Sequence, residues 1–81
     1  MKGTVRATKA DVALIETGPG EFTVVQVLGG GVDLGDEVEG ELDVRGDATL
    51  ELPAGGRLDV YVHDVGCAKA VAAERARRLT R

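Results

Sequence analysis

The stretch Asp11-Val12-Ala13-Leu14-Ile15-Glu16-Thr17-Gly18-Pro19-Gly20-Glu21-Phe22-Thr23-Val24-Val25-Gln26-Val27-Leu28 decides the fold. Two runs of aliphatic and β-branched residues flank a turn in which proline fixes φ and glycine admits unusual backbone angles, the signature of a β-hairpin. Neighbouring side chains of a strand point to opposite faces. Val12 and Leu14 therefore lie opposite Ala13 and Ile15, and Phe22 and Val24 lie opposite Val25 and Val27, so both faces are apolar. An antiparallel pair with one face in water would alternate apolar and polar residues. One face of this hairpin builds the core, and something must cover the other.

Upstream, Thr4 to Thr8 alternates with Val5 and Ala7 on one side. Val12 and Leu14 fall out of step with that pair, which predicts a tight turn or a bulge around Lys9 to Asp11. Downstream, Asp36 to Val44 reads as a strand with Val38, Gly40 and Leu42 inward and Glu37, Glu39, Glu41 and Asp43 outward. Such a row of like charges is a solvated face that also protects an edge from unwanted pairing. Arg45-Gly46-Asp47 reads as a turn, Ala48 to Leu52 as a short strand and Pro53-Ala54-Gly55-Gly56 as the next turn. Arg57 to Val65 is the last strand, with Leu58, Val60 and Val62 inward and Tyr61 and His63 outward. From Cys67 to Arg81 the chain is rich in strong helix formers and carries a Glu74–Arg78 pair at i,i+4. Its apolar stripe is Ala68, Val71, Ala72, Ala76 and Leu79.

The expected architecture is mainly β. It is a five- or six-stranded antiparallel barrel over residues 1–66 with one C-terminal helix over 67–81, packed as part of the same single domain. The strand count suits the oligonucleotide/oligosaccharide-binding (OB) barrel, and an SH3-like barrel is the alternative.

Composition narrows the chemistry. With 81 residues there is room for one domain, of a size that buries about 60% of the surface its unfolded chain exposes. The chain has no serine and no asparagine, which removes serine nucleophiles and N-glycosylation. A single cysteine, Cys67, rules out an internal disulfide, and with a single histidine it cannot complete a Cys/His zinc site. No cofactor is expected. With one cysteine and no internal disulfide, a reducing cytoplasm is the natural compartment, and no apolar run is long enough for a signal peptide or a membrane span. The glycine-rich run Gly29-Gly30-Gly31-Val32-Asp33-Leu34-Gly35 has neither phosphate-loop spacing nor a following helix.

Charge is divided along the chain. Residues 1–66 hold 5 Lys/Arg against 13 Asp/Glu, a net of −8, whereas residues 67–81 hold Lys69, Arg75, Arg77, Arg78 and Arg81 against Glu74, a net of +4. A basic helix end complements its own dipole and can dock on an acidic body. His63 and Cys67 are the one catalytic pair of familiar type, flanking the strand-to-helix junction, where a helix dipole would favour the thiolate. No third orienting group and no local signature accompany them, so a redox or regulatory thiol is a secondary reading and the expected class is non-enzymatic.

Several of these segments are similar to the bacterial cold-shock proteins. Met1-Lys2-Gly3-Thr4-Val5 resembles the first strand of that family, and Ala10 to Ile15 and Phe22 to Val25 fall where it has its two ribonucleoprotein-like motifs. Gly18-Pro19 and Leu34-Gly35-Asp36-Glu37-Val38-Glu39 look similar as well, so that the resemblance covers about the first 44 residues. It implies an OB barrel and single-stranded nucleic-acid binding through base-stacking aromatics. Where the family places those aromatics, this chain has Ala7, Val12, Leu14 and Val24 and keeps Phe22 alone. Each stacked base is worth roughly 1–3 kcal/mol, and an acidic body repels phosphates.

Two functions follow. The first is protein contact or self-association through a patch formed by Val12, Leu14, Phe22 and Val24, covered either by the chain's own helix or by another protein. The second, disfavoured, is nucleic-acid binding through Arg6, Lys9, Phe22, Arg75, Arg77 and Arg78.

Overall fold

The computed structural model describes residues 1–53 and 55–80; Ala54 of the predicted turn and Arg81 of the predicted helix end lie outside them. The elements are β1 (Lys2–Lys9), β2 (Val12–Gly18), β3 (Glu21–Gly29), β4 (Glu37–Glu39), β5 (Gly46–Glu51), β6 (Arg57–Cys67) and α1 (Lys69–Leu79). The six strands close into an antiparallel barrel in the order β1-β2-β3-β6-β5-β4, with β4 returning to β1. Because β3 lies beside β6 rather than β4, the chain crosses one end of the barrel between β3 and β4 in a Greek-key connection. Val5 ties that crossing down: its N–H donates to the Asp36 carbonyl at 2.9 Å and its carbonyl accepts from Gly35 N–H at 2.8 Å. β4 and β5 meet through a single residue pair, Glu39 and Glu51.

The central hairpin forms as its sequence predicts. Pro19 and Gly20 make the turn between β2 and β3, and Gly20 takes the positive φ of 74° for which glycine is suited. Ala13, Ile15 and Val25 enter the barrel interior with Leu50, Leu58 and Val60, an aliphatic core. Thr23 shares that interior and stays satisfied by donating its hydroxyl to the Leu42 carbonyl at 2.8 Å.

Four boundaries differ from the sequence reading. The phase change in the first strand is a bulge at Arg6, because Val5 pairs with Ile15 and Ala7 with Leu14, leaving Arg6 without an opposite residue. Val5 thus enters the core while Ala7 turns to the outer face. The tight turn expected around Lys9 to Asp11 is present, as Ala10–Asp11 between Lys9 and Val12. β4 is three residues rather than nine, since the chain kinks after Glu39, with Leu42 N–H donating to the Gly40 carbonyl at 3.1 Å. Leu42 is nevertheless buried, as predicted. Gly46 and Asp47 are not a turn but the start of β5, paired with Val62 and Tyr61. Lastly, Cys67 belongs to β6, opposite Phe22, and the helix begins at Lys69.

Register shifts against β3 mark two irregularities in β6, one at His63 and one at Val65–Gly66, where Gly66 has φ 61°. Bulges bend and twist the strand that carries them. Here they aim the chain back over the barrel, so that α1 lies across the outer face of the hairpin.

Candidate functional site

The outer face of the hairpin is apolar and packed. Val12, Leu14, Phe22 and Val24 form one cluster with Ala72 of α1, separate from the barrel interior. They are 2%, 8%, 5% and 0% exposed, so the chain's own helix covers the predicted contact patch. The covering surface is Ala72, Ala73, Ala76 and Leu79. The predicted stripe was partly out of phase: Ala68 and Val71 face solvent, and Ala73 replaces them. Small residues let the helix backbone approach the sheet closely, and this docking carries most of its stability. Ala68 supplies no side-chain cap, and the first turn holds no acidic residue.

The cover is incomplete along one seam. Between the C-terminal half of α1 and the β1–β2 end of the barrel lies a groove of about 160 Å³. Val12 and Leu14 line it from the barrel, Ala73 and Ala76 line it from the helix, and Lys9 and Arg77 border it. Neither cation lies within 4.0 Å of a carboxylate among the described residues.

The remaining cations singled out for nucleic-acid binding are engaged. Arg6 donates from Nε to Glu16 Oε1 at 2.9 Å, Arg75 lies 4.0 Å from Asp64, and Arg78 donates to Glu74 at 3.0 Å. Phe22, the residue available for stacking, is beneath the helix. The six are therefore not gathered on one open face.

The predicted His63–Cys67 pair is not assembled either. The Cys67 thiol points to the Val65 carbonyl at 3.7 Å. Because Cys67 ends a strand instead of opening a helix, it lacks the favourable dipole. Burial, followed by the Asp64 charge, pushes its pKa up, against smaller opposing effects of Arg75 and Arg45. His63 instead donates from Nε2 to Gln26 Oε1 at 3.1 Å, while Gln26 Nε2 donates to Asp11 Oδ2 at 2.8 Å. The Tyr61 ring sits 4.8 Å from the imidazole, tilted by 56°. This Asp11–Gln26–His63 chain spans three strands or turns, and no local spacing reveals it.

Glu41, Asp47 and Asp59 border an open cleft of about 560 Å³ with Leu28 and Thr49, and Thr49 donates to Asp59 at 3.2 Å. Among the described residues, no three His, Cys, Asp or Glu side chains gather to hold a metal ion.

Comparison with protein-family models, with curated proteins and with solved structures finds no match to this chain.

Proposed function

We propose that this barrel is a non-enzymatic protein-contact module whose seam groove receives one aliphatic side chain from an acidic segment of a protein partner. The observation that carries this reading is the pairing of an apolar groove with two cations at its border, neither of which is ion-paired among the described residues. A volume of about 160 Å³ is close to that of cavities of about 150 Å³ that admit a benzene-sized group, so one leucine-sized side chain suits it and a long acyl chain does not. Lys9 and Arg77 favour carboxylates on either side of that side chain, and their attraction weakens as salt rises.

A protein partner accounts for the surface better than a nucleic acid does. The sheet face that would stack bases is occupied by α1, and the net charge of −4 opposes a polyanion. No helix among the described residues is long and apolar enough to cross a membrane, and a lone free Cys67 suits a reducing cytoplasm.

The test is a methyl-resolved NMR titration with two four-residue peptides, acetyl-Asp-Leu-Gly-Asp-amide and acetyl-Lys-Leu-Gly-Lys-amide. The acidic peptide is expected to shift the Val12, Leu14, Ala73 and Ala76 methyls, and the basic one to leave them in place. Equal shifts from both peptides, or none at millimolar concentration, would overturn the reading.

A further inference from the structure

We infer that the acidic segment seated in the groove is the Asp33-Leu34-Gly35-Asp36 turn of a second copy of this chain. This rests on the groove reading just given and adds the identity of the partner. Leu34 is 67% exposed, the most exposed of the large apolar side chains among the described residues. It sits at the tip of a turn that is already fixed. Asp33 N–H donates to Asp36 Oδ2 at 2.9 Å, Asp36 N–H donates to the Asp33 carbonyl at 3.1 Å, and Gly35 N–H donates to the Val5 carbonyl at 2.8 Å. A side chain presented on an ordered turn gives up little conformational freedom on docking.

Charge matches as well as shape. Asp33, Asp36 and Glu37 surround the tip and make no ion pair among the described residues, so the knob is anionic where the groove is edged by Lys9 and Arg77. Three of the other exposed apolar residues suit the groove less well, and Met1 and Val44 are each less exposed than Leu34, at 55%. Val71 stands on the basic helix, Tyr61 packs beside His63, and Leu28 lies along an open cleft rather than at a tip. Knob and groove are different surfaces of the same molecule, so the contact is head-to-tail: each copy offers a turn to one neighbour and a groove to another. Such a contact is small, and its association is correspondingly weak and salt-sensitive.

The experiment measures self-association of the full chain by sedimentation velocity and concentration-dependent NMR shifts at low and high salt. Leu34→Ala removes the knob. Ala73→Leu fills the groove, and Arg77→Glu, an exposed change, reverses its border without altering packing. Each variant alone is expected to lower the association constant roughly tenfold or more, the effect of losing one buried leucine or its complementary charge. Mixing Leu34→Ala with Arg77→Glu gives no rescue beyond one productive pairing, because in that mixture the intact knob meets the intact groove once. The acidic peptide described above separates the two claims. If it shifts the groove methyls while the intact protein shows no concentration dependence, the groove stands and the second copy is overturned. If neither effect is seen, both fall. Self-association that persists unchanged in Leu34→Ala and Arg77→Glu also overturns the proposal, because the copies then meet elsewhere.

Discussion

Ala10 holds a positive φ of 54° at the first position of the two-residue turn between β1 and β2, and it is the one non-glycine residue among those described to do so. An L-residue in the left-handed region costs roughly 1–2 kcal/mol, whereas glycine gives back about 0.5–1 kcal/mol through greater freedom in the unfolded chain. Ala10→Gly is therefore expected to stabilise the fold by about 0.5 kcal/mol, read as a higher thermal midpoint; an unchanged or lower midpoint would contradict this assignment of strain. Cys67 behaves in the opposite way to an activated thiol. Since its folded pKa is raised by burial and Asp64, iodoacetamide should label it more slowly than free cysteine at the same neutral pH. The same shift sets a pH dependence. The protonated thiol is favoured in the folded state, so its stabilising contribution is full below the unfolded thiol pKa and is lost as pH rises through the higher folded value. Cys67→Ala should flatten that alkaline decline, and an identical decline in both proteins would count against it. Thr23 marks the limit of what single residues reveal in advance. It reads as an ordinary strand position, yet its hydroxyl is spent on the Leu42 carbonyl 19 residues away, a partner that no local pattern announces.

At the level of elements, the hairpin was legible because both of its faces are apolar, and that alone demanded a cover. The helix was legible in its existence and less so in its rotation. Which side chains of α1 meet the sheet depends on how the bulges at His63 and Val65–Gly66 aim the end of β6. A bulge adds one residue to a strand without a fixed composition, so Ala73 could not be told from Val71 by spacing. The same reason hid the bulge at Arg6. Because the cluster under α1 is separate from the barrel interior, the two can be uncoupled. Ala72 is fully buried against the hairpin, and a carboxylate there has no partner. Ala72→Glu is expected to release the helix while the barrel persists, seen as loss of helical signal in far-ultraviolet circular dichroism together with gain of an apolar dye. If the β signal collapses with the helical one, the two clusters are a single cooperative unit.

Over the whole molecule, the acidic body and basic helix are opposite in sign, and the helix is docked on the apolar outer face of the hairpin. Oligothymidine at low salt is expected to produce no amide shifts at millimolar concentration, and shifts centred on Lys9 and Arg77 would reinstate nucleic acid as a ligand. The ring of strands is also uneven in strength. β1–β2, β2–β3, β3–β6 and β5–β6 are each joined along five or more residue pairs, whereas β4 and β5 share Glu39 and Glu51 alone. Like charges placed opposite one another weaken a strand pair. The cylinder consequently has a clasp, and the easiest excursion from the native state is to undo it and unroll into an open sheet, with amide protons beside the clasp exchanging well before those of the central hairpin.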